Sequence, residues 1–161
     1  MFQVKAAFSG QIEVKTTAER ARAFFGDVRN FAELMPGVEK ITPEAGGVMR
    51  WVIRADVPII GAMRQAFLVE QTDDSPERIE WTPAAQEKKN LLRYAARFEK
   101  SGGRGMLVRI EQRVELRRQN ARELHFLAGL AGESRLSAEM QKAVTAMMQS
   151  FLEGARAKLE K

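Results

Sequence analysis

The sequence predicts an α+β protein: a curved antiparallel sheet of about seven strands, two short helices after the first strand, and one long C-terminal helix across the sheet. Three observations carry that expectation. Apolar and polar side chains alternate with a period of two at the start of the chain and again from Val38 to about Leu116, as half-buried strands require. Between these stretches the spacing changes to that of a helix. The last stretch carries an apolar stripe too long to be left in water.

Taken in order, Phe2, Val4, Ala6, Phe8, Ile12 and Val14 share one face of the first strand, opposite Gln3, Lys5, Ser9, Gln11 and Glu13. Thr16-Thr17-Ala18-Glu19 reads as a capping box, the Thr16 hydroxyl and the Glu19 carboxylate each satisfying a backbone N–H. Ala21, Phe24, Phe25 and Val28 follow at helical spacing, and a second short helix from Phe31 to Met35 stops at Pro36-Gly37. Alternating runs then centre on Trp51, Phe67, Trp81, Tyr94 and Ile110. Turn signals separate them, Asp73-Asp74-Ser75-Pro76 and Ser101-Gly102-Gly103 among them, and such short connections make the pairing antiparallel. Ser137 reads as the N-cap of a helix over residues 138–159, ~33 Å long, whose stripe runs Met140, Val144, Met147, Met148, Phe151, Leu152, Ala155 and Leu159. Burying it contributes roughly 10–20 kcal/mol gross, and only the inner face of the sheet is large enough to receive it. No linker or repeat divides the chain, so residues 1–161 are read as a single domain.

Composition removes much of the available chemistry. The 161 residues contain no Cys and one His, His125. Disulfides, zinc ribbons, iron–sulfur sites, thiol nucleophiles and mechanisms needing two imidazoles are thereby excluded. No Gly-rich phosphate loop and no Gly-x-Ser-x-Gly elbow occurs, and no carboxylate pair falls on an inward strand face. His125 has no carboxylate placed beside it and reads as a structural or exposed imidazole. No catalytic residue, metal or cofactor is expected.

A net charge of +5 and a pI near 9.8 admit nucleic-acid binding. The Arg and Glu residues between Arg50 and Glu115, however, alternate in sign along the outward face. They lack the interleaved aromatics on which single-strand binders stack bases, so they read as solvated cross-strand pairs. No nucleic-acid partner is expected. Arg117, Arg118 and Arg122 form a small positive cluster with two readings, transient contact with an acidic partner or an anionic membrane surface, or an ordinary loop. No leader peptide and no run of ~18–20 apolar residues is seen, so a cytoplasmic location without an integral membrane segment is expected.

Gln65, Tyr94 and Gln112 are the polar residues predicted to face inward. Two readings stand: core groups satisfied by backbone or water, or the few polar groups that orient a ligand in an apolar pocket.

Several stretches, in this order of elements, carry a resemblance. They are Phe8-Ser9-Gly10-Gln11-Ile12-Glu13-Val14, Phe25-Gly26-Asp27-Val28, Met35-Pro36-Gly37-Val38-Glu39-Lys40-Ile41, Pro58-Ile59-Ile60-Gly61 and Leu127-Ala128-Gly129-Leu130. Together they resemble the START/SRPBCC superfamily, the helix-grip proteins related to the birch-pollen allergens, nearest to its branch of polyketide cyclases and a carbon monoxide dehydrogenase subunit. The resemblance implies an apolar cavity between the sheet and the C-terminal helix, gated by the short helices and the loop before the last helix. It would hold a hydrophobic small molecule or lipid, of isoprenoid-quinone, lipid or polyketide type. Trp51, Phe67, Trp81, Tyr94, Phe98, Val108, Ile110, Met140, Val144, Met147 and Phe151 would enclose it, with Gln65, Tyr94 and Gln112 orienting it. Some members of the branch carry a hydrophobic C-terminal tail; this sequence ends Lys158-Leu159-Glu160-Lys161, so anchoring is not expected. Two alternatives stay open: a polyketide cyclase, aromatase or dehydratase using the same cavity, and a solid-core accessory interaction protein.

Overall fold

The computed structural model describes residues 1–58 and 60–161; Ile59, in the Pro58–Gly61 corner, lies outside the described residues. Seven strands form one antiparallel sheet: β1 (Phe2–Val14), β2 (Val38–Pro43), β3 (Val48–Val57), β4 (Gly61–Ser75), β5 (Arg78–Pro83), β6 (Asn90–Ser101) and β7 (Gly105–Arg118). Their order across the sheet is β1-β7-β6-β5-β4-β3-β2. Short helices α1 (Ala18–Phe25) and α2 (Val28–Leu34) join β1 to β2 at the opposite edge. A 3-10 turn (Ala121–Glu123) and α3 (Ala128–Ala131) lead from β7 into α4 (Glu133–Leu159), which lies across the inner face. This is the α+β, helix-grip architecture that the two hydrophobic periods predict.

Helix starts differ from expectation, for local reasons. Thr17, not Thr16, caps α1, its hydroxyl accepting from the Arg20 N–H at 3.2 Å. Thr16 is instead buried, its amide bonded to the Val14 carbonyl. Asp27 caps α2 by accepting from the Arg29 N–H at 2.9 Å, so that helix begins at Val28, ahead of Phe31. The long helix begins at Glu133, five residues before the expected start, following Gly132 with φ of 82°. Ser137 therefore lies inside α4, where its hydroxyl accepts from the Lys5 N–H of β1 at 3.1 Å. The strand β4 also runs on through Asp73-Asp74-Ser75, because those residues pair with Arg78–Glu80 of β5.

The outward Arg/Glu ladder is a set of cross-strand and same-strand pairs, including Arg93 with Glu80 and Glu111, Arg109 with Glu99, and Arg78 with Glu80. Inside, α1 and α2 drive Phe25 and Phe31 against Phe151 of α4 at ring separations of 5.7 and 5.6 Å. Trp51 and Tyr94 complete this packing against Phe31, at 5.4 and 4.8 Å. One end of the grip is thus filled with rings.

Candidate functional site: an apolar cavity at the open end of the grip

The other end is hollow. A cavity of about 100 Å³ lies between β3, β4, the C-terminal half of β7 and the N-terminal half of α4. Ile53, Met63, Phe67, Leu116, Leu136 and Val144 supply much of its apolar wall. Arg54 and Asp56 on β3, paired at 3.2 Å, and the half-buried Glu139 on α4 contribute the charged groups, and their exposure places the rim on that side. The Pro36-Gly37 turn borders it. Gly37 has φ of 93°, and a Cβ there would come within 2.8 Å of the Arg54 carbonyl, so only glycine lets this turn sit against β3.

Of the residues that sequence placed around a ligand, Gln65, Phe67, Met140, Val144 and Met147 are on this wall. Trp51, Tyr94, Phe98 and Phe151 are in the ring-packed end instead. Trp81, Val108, Ile110 and Gln112 are buried in the core away from the cavity lining. The Tyr94 hydroxyl donates to the Phe25 carbonyl at 3.1 Å, tying β6 to the end of α1, and burial pushes its phenol well above the usual range. Gln112 is fully buried; its Nε2 donates to the Met147 sulfur at 3.7 Å, and its Oε1 finds no partner among the described residues. Met147 therefore stands between Gln112 and the hollow. His125 accepts the Leu127 N–H through Nδ1 and stacks on Phe126, clear of the cavity wall.

Behind Gln65 lies a polar network that the sequence reading missed. β5 is six residues long, whereas β4 and β6 have fifteen and twelve, so past Pro83 no strand separates the two. Side chains take over there. Arg118, 9% exposed, donates through Nη2 to Asn90 Oδ1 at 2.8 Å and Gln65 Oε1 at 3.2 Å. Through Nη1 it donates to the Arg117 and Lys89 carbonyls. Asn90 Nδ2 donates to Gln65 Oε1 at 3.0 Å and to the Ala66 carbonyl at 2.9 Å. Burial pulls the guanidinium below its ordinary value, with Glu87 and Glu123 opposing that through Coulombic attraction alone. A signal was present: Arg118 shares the inward parity of Val114 and Leu116, and Asn90 that of Leu92 and Tyr94.

Among the described residues no group of three or more His, Cys, Asp or Glu is placed to hold a metal ion. Among the described residues no helix is long and apolar enough to cross a membrane.

Fold and site define a helix-grip protein with a small apolar cavity at one end. Residues 5–160 match the family described as polyketide cyclase / dehydrase and lipid transport, and the chain belongs to that family within the START/SRPBCC superfamily. Solved structures agree on the fold. The di-domain ARO/CYC protein StfQ from the steffimycin biosynthetic pathway superposes with a TM-score of 0.63 at 12% identity, over 98% of this chain and 51% of that one. This chain thus spans about half the length of that protein. The ZhuI aromatase/cyclase from Streptomyces sp. R1128 gives 0.61 at 16% identity, over 94% and 93%. A START superfamily protein from Mycobacterium smegmatis gives 0.59 at 13%, over 95% and 98%. No curated protein matches the chain by sequence.

Proposed function

We propose that the protein binds and carries a hydrophobic small molecule or lipid in the cavity between β3, β4 and α4, without covalent change to it. The observation that carries this reading is the wall: aliphatic, aromatic and thioether side chains, with the Gln65 amide as its uncharged polar side chain and charge confined to Arg54, Asp56 and Glu139. At about 100 Å³ the hollow is smaller than the ~150 Å³ that accommodates benzene in a dry apolar cavity. A ligand therefore enters as the unbranched Met63, Met140 and Met147 repack around it. Solvent extraction and mass spectrometry of natively purified protein should return a stoichiometric apolar compound, and apolar probes should bind. Absence of both would end the proposal.

Glu139 supports a second reading, cyclase or dehydratase chemistry, because it is a half-buried carboxylate on the wall, 3.1 Å from Lys142. The two readings separate on Glu139→Gln. Carriage survives that change, whereas turnover of a poly-β-ketone substrate with Glu139 as proton acceptor does not.

A further inference from the structure

We propose that Gln65 makes this cavity selective for an apolar ligand bearing a hydrogen-bond acceptor, a carbonyl oxygen above all, and that Arg118 and Asn90 impose that selectivity from behind the wall. The inference rests on the ligand-binding reading above and names the chemical group which that same cavity recognises.

The direction of every bond in the network is forced. A guanidinium only donates, and the Ala66 carbonyl only accepts. Asn90 lies between these two anchors, so it must turn Nδ2 to Ala66 and Oδ1 to Arg118. Its Nδ2 then also donates to Gln65 Oε1, and Arg118 Nη2 supplies a second bond to the same oxygen. Both lone pairs of the Gln65 carbonyl are thereby used. What remains of the side chain is the Nε2 amide, two N–H donors with no acceptor assigned to them among the described residues. Gln65 is on the cavity wall, so those donors are the hydrogen-bonding capacity it has left to offer a ligand. The four hydrogen-bond partners of Arg118 are neutral oxygens, and Glu87 and Glu123 act on it through space alone, so its positive charge stands directly behind the Gln65 amide. That charge polarises the amide and strengthens it as a donor.

Acetophenone and α-methylstyrene test this directly, since they share a shape and differ by C=O in place of C=CH2. Titrated into the full-length, isotope-labelled protein and followed by amide chemical shifts, acetophenone should bind about five- to tenfold more tightly, as one added hydrogen bond predicts. Its carbonyl stretch should move to lower frequency on binding. In Gln65→Glu the carboxylate still accepts from Arg118 and Asn90, so the network and the fold persist while the donors are gone. The preference and the frequency shift should then vanish, acetophenone binding no more tightly than α-methylstyrene to that variant. Gln65→Met, which removes both functions, serves as the second variant.

Equal wild-type affinity for the two probes, or a preference that survives in Gln65→Glu, overturns this proposal and leaves the cavity reading standing. Failure of the wild-type protein to bind either probe overturns the cavity reading and this inference with it.

Discussion

Gln141 on α4 and Ala7 on β1 exchange two hydrogen bonds: the Gln141 Nε2 donates to the Ala7 carbonyl at 2.7 Å, and its Oε1 accepts from the Ala7 N–H at 2.9 Å. β1 is an edge strand, and such a peptide would otherwise stand ready to pair with another chain. Glu133 and Ser137 satisfy the N–H groups of Gln3 and Lys5 in the same way. Helix residues four apart thus meet strand residues two apart, because the two steps are nearly equal, ~6 Å and ~6.6 Å. Gln141→Ala should cost about 1–2 kcal/mol and accelerate hydrogen exchange at the Ala7 amide. An unchanged exchange rate there would show that α4 does not hold the edge in solution.

Arg118 seals the gap left where β5 ends. Arg118→Leu leaves Asn90 Oδ1 without its donor and takes the Nη1 bonds from the Arg117 and Lys89 carbonyls, the latter keeping the Arg117 N–H, and should lower unfolding free energy in urea by about 2–4 kcal/mol. Arg118→Lys should recover only part of this, since an ammonium lacks the planar fork that reaches four acceptors. Full recovery by Lys would mean that charge, not geometry, closes the gap.

Met147 accepts from the buried Gln112 Nε2 through its sulfur and lines the hollow. Truncation to Ala should cost about 2–5 kcal/mol and enlarge the hollow toward Gln112. Melting temperature should fall without ligand, yet rise more than in wild type when a probe larger than acetophenone is added. No added stabilisation by the larger probe would place Met147 elsewhere in the energetics.

Asp27 links acid stability to α2. Its carboxyl is held below the usual value of 3.8, chiefly by the hydrogen bond from Arg29, with burial opposing. The unfolded chain therefore takes up the proton more readily. The stability that Asp27 contributes is fully present above the unfolded value and is lost as pH falls through the lower, folded one. Asp27→Asn keeps a capping oxygen and should flatten the pH dependence of stability in that acidic window only. A variant with the wild-type acid profile would assign the dependence to another carboxylate.

The filled end of the protein is largely legible in the sequence. Phe24, Phe25 and Phe31 at helical spacing, and Trp51, Tyr94 and Phe98 on inward strand parities, all pack where their periods place them. The cavity is legible only in part. Gln65, Phe67, Met140, Val144 and Met147 line it. Arg118 falls into a surface cluster when charge is allowed to outweigh parity at the end of β7.

Element order, fold class and the inward face of each strand were determined by the sequence itself, because one-sided burial leaves a local record with a period of 2 or 3.6 residues. Where the interior is hollow was decided only by the tertiary structure. Two inward residues look alike in a pattern whether they meet a ring from α1 or α2 or meet empty space. Those helices cover one end of the grip, and at the other end the core is left to Met147, Val144 and the amide of Gln65. The direction of that amide, too, is a tertiary fact: it follows from Arg118 and Asn90, 53 and 25 residues away in the chain.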